Sequence, residues 1–231
     1  MDPTFLLVQL ALSSILSAVL IVAPLVVFAR RGIERTGFKR FLVFFGGLGL
    51  GFIMIEIVAM QKLTLFLGHP LYSITVTLFS ILIFTGLGSL LSVRWFAPPC
   101  RRVWIVPLGL MVLLLLFIWG APHLVRTFID FPLPARIGIT LGVLMPIGFL
   151  LGVPFAYGIR LLNLTNPSII PWAWAVNGCA TVIGSILAAI LSMTFGFNFV
   201  LVIAVVTYLL AFSSLTGIGR GRDGNPIEGL Q

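Results

Sequence analysis

Glu56 is the one acidic residue set well inside an apolar run, Phe41–Met60. A carboxylate in such a run is costly to bury and faces the interior of a bundle, with a partner or a water-filled cavity. Its chemistry would be to carry a proton, or to hold a structural hydrogen bond or ion pair with Lys62 or Asn177. Gln61, Lys62 and His69 follow it in the chain, and with Glu56 and Asn177 they form the candidate solute-binding set. No catalytic set can be assembled: there is no nucleophile with a base, no paired carboxylates and no phosphate-binding loop. His69 and His123 lack an i, i+4 partner and a companion Cys or carboxylate cluster, so neither a metal nor another cofactor is expected. Cys100 and Cys179 lie in unrelated contexts, which argues against a disulfide. The chain is not expected to be an enzyme on its own.

The run Gly46-Gly47-Leu48-Gly49-Leu50-Gly51 superficially matches a dinucleotide loop. That loop needs a preceding strand and a solvated helix N-terminus. Inside an apolar helix, glycines four apart instead let two backbones approach closely. Gly47 with Gly51, Gly138 with Gly142 and Gly148 with Gly152 are therefore expected at helix contacts, as are Gly184 and Ser185 on the small face of a later helix. Trp172 and Trp174 suit the belt at a membrane–water interface.

The elements that position these residues are membrane spans. Hydrophobic residues make up 60% of the 231 and charged residues 9%, with mean hydropathy +1.20. A soluble domain carries roughly 25% charge. Seven apolar stretches can be delimited: Thr4–Ala29, Phe41–Met60, Leu71–Val93, Val103–Pro122, Ala135–Ile159, Trp172–Phe195 and Phe199–Leu215. The fold expected is all-α, a polytopic transmembrane helix bundle of about seven spans. Residues 1–217 would form a single membrane domain, and the glycine-rich residues 218–231 a disordered cytoplasmic tail. The net charge of +8 sits between apolar runs, which excludes a nucleic-acid patch and points to the positive-inside rule. With the N-terminus outside, eleven basic residues, among them Arg30, Arg40, Arg94, Arg160 and Arg220, collect on the cytoplasmic side. Only Lys62, Arg126 and Arg136 fall on the other.

An internal repeat is also legible. Gly51-Phe52 recurs as Gly148-Phe149, and Gly88-Ser89-Leu90-Leu91 as Gly184-Ser185-Ile186-Leu187, at offsets of 97 and 96. Spans 2–4 and 5–7 would then be inverted three-helix repeats, an arrangement common in transporters.

Gly49–Ser92 contains GFIMIE and QKLTLFLGHP, and Gly148–Leu162 and Pro171–Phe197 contain GVPFAYG and PWAWAVNG. From about Phe41 onward these resemble the membrane region of bacterial spermidine-synthase-like fusion proteins, in which a multi-helix region accompanies a soluble aminopropyltransferase-like domain. Ala156 stands where that family tends to have a second proline, and the soluble domain with its catalytic aspartate has no counterpart in this sequence. The resemblance implies a bacterial inner-membrane domain, transporter-like or solute-binding, without aminopropyltransferase activity of its own. The alternative is an accessory subunit that anchors a separate soluble synthase-like enzyme or joins other membrane subunits. Beyond these the only partner expected is the lipid bilayer.

Overall fold

A computed structural model describes residues 3–17, 19, 37–98 and 100–215. Among them the helices are α1 (Pro3–Ser17), α2 (Phe38–Leu67), α3 (Pro70–Trp95), α4 (Ile105–Phe128), α5 (Leu133–Thr165), α6 (Ile170–Phe195) and α7 (Phe197–Ser214). Short 3-10 turns at Arg101–Trp104 and Pro167–Ile169 lead into α4 and α6. The helices α2 to α7 are each long and apolar enough to cross a membrane. Of the expected first span, α1 supplies residues 4–17; the rest, apart from Val19, lies outside the described residues, as do the expected tail and the basic residues Arg30, Arg31, Arg35, Arg220 and Arg222.

Several helices run past the apolar stretch that announced them. α2 continues beyond Met60 to Leu67, which places Gln61 and Lys62 inside the helix, and α5 encloses Arg136 and Arg160. Hydropathy marks where a helix meets hydrocarbon, whereas backbone hydrogen bonding carries it on into the polar layer. The α2–α3 turn is explicit in sequence. Gly68 caps α2 at φ 82°, a left-handed conformation suited to glycine, and His69 Nδ1 accepts from Leu71 N at 3.2 Å before Pro70 opens α3.

α2 is the central element, flanked chiefly by α6 and α7, while the most extensive pair is α3 with α5. Both contacts are built on glycine. A Cβ on Gly47 would stand 2.9 Å from that of Ala211 on α7, and one on Gly51 would meet the Tyr208 ring at 2.5 Å. A Cβ on Gly148 would lie 2.8 Å from Phe84 Cβ, and one on Gly152 would run into the Thr85 backbone. Gly184 faces Ile53 and Leu50, with Ile53 Cγ2 at 2.7 Å. Two expectations fail. Gly138 and Gly142 have nothing within 4 Å of a built Cβ, because they lie on a face of α5 that no helix covers; spacing alone cannot say which face is covered. Ser185 donates to Val182 O of its own helix at 2.8 Å.

Corresponding glycines make corresponding contacts. Gly88 on α3 rests against the backbone of Phe149 on α5, and Gly184 on α6 rests against α2 at Leu50 and Ile53, on either side of Phe52. Phe52 and Phe149 are the residues that the repeat equates. The large apolar side chains left outside the core, such as Leu65 (69% exposed), Leu90 (69%) and Trp119 (76%), suit contact with lipid. This is an all-α integral membrane bundle.

Candidate functional site

The site is a cleft of about 350 Å³ whose walls are α3 and α6, two helices with little or no direct contact. Its floor comes from α2 and α5, and Tyr208 of α7 reaches it past Gly51. These are the helices that the sequence repeat would pair, α2 with α5 and α3 with α6. Thr85 and Thr181 stand on opposite walls, and their surroundings repeat as Thr-x-x-Gly-Ser-x-Leu at 85–91 and 181–187.

The polar inventory of the cleft is small and uncharged. Thr85 Oγ1 donates to Ile81 O at 2.7 Å and Thr181 Oγ1 to Asn177 O at 2.8 Å, which leaves both hydroxyls as acceptors. Asn177 Nδ2 donates to Phe45 O on α2 at 3.0 Å, and this contact is close because Gly49 has no side chain to intervene. Among the described residues, Asn177 Oδ1 and the hydroxyls of Ser89 and Tyr208 make no hydrogen bond. Tyr208 is 2% exposed, so its hydroxyl has little access to anything but the cleft that it lines. Phe155 sets its ring 4.6 Å from Trp174 and 5.3 Å from Phe45, an aromatic bridge between α5 and α6 at one end of the cleft. The rim is apolar, with Trp174 60% and Leu82 53% exposed.

Set against family models, curated proteins and solved structures, the chain matches none.

The five candidate solute residues are not brought together. Only Asn177 lines the cleft. Glu56 is buried at 6% exposure, one turn along α2 from the cleft residue Phe52. Gln61 and His69 are exposed, and His69 serves as the N-cap of α3 with its ring 5.9 Å from Tyr72. Lys62 turns to α4, its Nζ 5.9 Å from the centre of the Phe117 ring. Helical phase explains the dispersal, because residues five and six positions apart point to different faces. The two tryptophans also divide. Trp172 is 5% exposed and packs edge-on against Phe38 at 5.4 Å, so it is a packing residue where an interface anchor was expected. Trp174 keeps an exposed ring at the rim.

Sequence reasoning missed Thr85, Ser89, Thr181 and Tyr208. The first three had a signal, the Thr that precedes each Gly-Ser pair by three; Tyr208, next to Thr207 in an apolar run, had none. No group of three His, Cys, Asp or Glu that could hold a metal occurs among the described residues. A second cavity of about 240 Å³ between α4 and α5 has only apolar residues and glycine on its walls, and offers no polar recognition.

Proposed function

We propose that this chain is a transporter-like membrane protein that binds a small, uncharged, largely apolar solute in the cleft between α3 and α6. The observation that carries the reading is the cleft itself, with unpaired hydroxyl and amide groups and no charged side chain among its described lining residues; its place where the proposed repeats would meet supports it. Its volume is at the small end of ligand pockets, roughly 300–1,000 Å³. The apolar rim suits a solute that enters from the bilayer. A polyamine fits poorly, since cations want carboxylates or several aromatic faces. The resemblance to the membrane region of spermidine-synthase-like proteins supports the membrane role, and this reading assigns the chain no aminopropyltransferase activity of its own.

Thermal unfolding of the purified chain in lipid nanodiscs tests this. Small neutral amphiphiles bearing one or two hydroxyl or carbonyl groups should raise the midpoint, and spermidine should not. Stabilisation by spermidine alone would overturn the reading.

The reading includes an orientation in the bacterial inner membrane, N-terminus out and C-terminus cytoplasmic. A reporter fused after Leu215 should behave as cytoplasmic and one inserted at Phe131–Pro134 as external. The cleft would then lie in the cytoplasmic half, where the N-terminal parts of α2 and α6 meet the C-terminal parts of α3 and α5. The opposite pair of reporter results would reverse the orientation, and agreement at one site alone would change the number of spans.

A further inference from the structure

The cleft does not use Glu56, the one acidic residue buried among those described. Glu56 is 6% exposed and makes no hydrogen bond or ion pair among the described residues. Its surroundings follow from helix register. Ser73 Oγ donates to Met60 O at 2.6 Å, which fixes α3 antiparallel to α2. One turn on along α3 and one turn back along α2, Thr77 stands at the level of Glu56. Thr77 has no exposed surface, and its Oγ1 is buried without a partner.

α5 is also antiparallel to α2: Arg136 Nη1 donates to Phe66 O at 3.0 Å, and Phe155 packs on Phe45. That register sets Thr140 opposite Met60–Lys62, about a turn beyond Glu56 toward the Gly68–His69 end. Its Oγ1 is likewise fully buried and unpaired. Ser73, with no exposed surface, lies between these levels. Register therefore sets a mostly buried carboxyl and two fully buried, unpaired hydroxyls within about two turns of one another on three helices. Buried polar groups are ordinarily satisfied, and exceptions call for a ligand, a water or a proton.

We propose that Glu56 is a proton-binding site, held as the neutral acid, that takes the Thr77 hydroxyl at its level as hydrogen-bond acceptor after a side-chain rotation, and is reached from the Gly68–His69 end along Ser73 and Thr140. The step is protonation of the carboxylate oxygen and nothing more; no bond to carbon changes. Side-chain oxygens are too few to replace the hydration shell of a metal cation, and the surrounding backbone carbonyls belong to helices. A proton needs one acceptor.

Countercharges are placed elsewhere. On α2 itself, Lys62 turns to Phe117 on α4. On α3, Tyr72 and Arg94 sit near the ends of the helix, and on α4 His123 and Arg126 lie toward its C-terminal end. On α5, Arg136 is held by Phe66 O and Arg160 donates to Ser92 Oγ at 2.9 Å, with Tyr157 one turn before it. Cys179 of α6 and Tyr208 of α7 lie at the level of the cleft. The site is distinct from the cleft and does not depend on the cleft's taking a solute.

Infrared difference spectra of the full chain in nanodiscs at neutral pH, wild type minus Glu56→Gln, test the proposal. The expected result is a carboxylic-acid carbonyl band present only in the wild type, which shifts in frequency in Thr77→Val because the acid loses its acceptor. A carboxylate pair of bands in place of the acid band would overturn it. Should Glu56→Gln fail to fold, Thr77→Val against wild type carries the test alone, and an absent or unmoved acid band would again overturn it.

Discussion

Gly88→Ala is expected to destabilise the bundle strongly, on a par with Gly152→Ala, whose Cβ would run into the Thr85 backbone. The added Cβ would overlap the backbone of Phe149, which cannot swing aside as a side-chain tip can. The α3–α5 contact would have to open along its length, and it is the most extensive in the protein. Overpacking in a well-packed core costs about 1–3 kcal/mol, and occasionally more. A backbone obstacle places Gly88→Ala at or above the top of that range. Without a hydrophobic force to press helices together in lipid, little is available to offset the loss. Thermal unfolding in detergent should show a clear fall in midpoint together with reduced yield. Gly142→Ala is the control: nothing lies within 4 Å of its Cβ, so the change should stay within about 0.5 kcal/mol. Equal behaviour of the two variants would refute the account of α3 packing. Gly184→Leu belongs with Gly88, since its side chain would press on Ile53 and Leu50.

Gly86→Trp should abolish solute stabilisation while leaving the fold intact. Gly86 lines the cleft, is exposed, and has nothing within 4 Å of a built Cβ, so an indole there meets no backbone. It would occupy the space between Thr85 and Thr181 that a ligand needs. Any neutral amphiphile that raises the wild-type midpoint should raise that of Gly86→Trp at least tenfold less effectively in concentration, equivalent to about 1.4 kcal/mol. Tyr208→Phe supplies a milder comparison, because it removes one hydroxyl and keeps the ring over Gly51. Unchanged stabilisation of the tryptophan variant would place the solute outside the cleft.

The bundle was legible in the sequence because hydrocarbon imposes one rule, about 20 apolar residues per crossing, and six such helices followed it. The glycines divided by helical phase. Gly47, Gly51, Gly148, Gly152 and Gly184 meet neighbours, whereas Gly138 and Gly142 carry the same spacing on an uncovered face of α5. The candidate site was less legible. Polarity drew attention to Gln61, Lys62 and His69, yet polar residues near helix ends have water or headgroups to meet. The cleft is instead built from hydroxyls that ordinary helices bear routinely. Glu56 and Asn177 were visible because each is a polar oddity deep in an apolar run; that Asn177 would bond the backbone of α2 depended on Gly49, which only the packing reveals.

Pro146 and Pro154 lie within α5. Neither has an N–H, so the carbonyls of Gly142 and Leu150 lose their intrahelical donors. These two missing rungs fall on either side of the glycines that lock α5 to α3. The helix that makes the broadest contact is therefore the one with the least axial stiffness. Any bending of α5 concentrates at these joints, and the short piece between them, clamped to α3, travels with that helix. Widening or narrowing of the α3–α6 gap then needs only rotation about backbone torsions at two points of one helix, while the glycine seam stays closed.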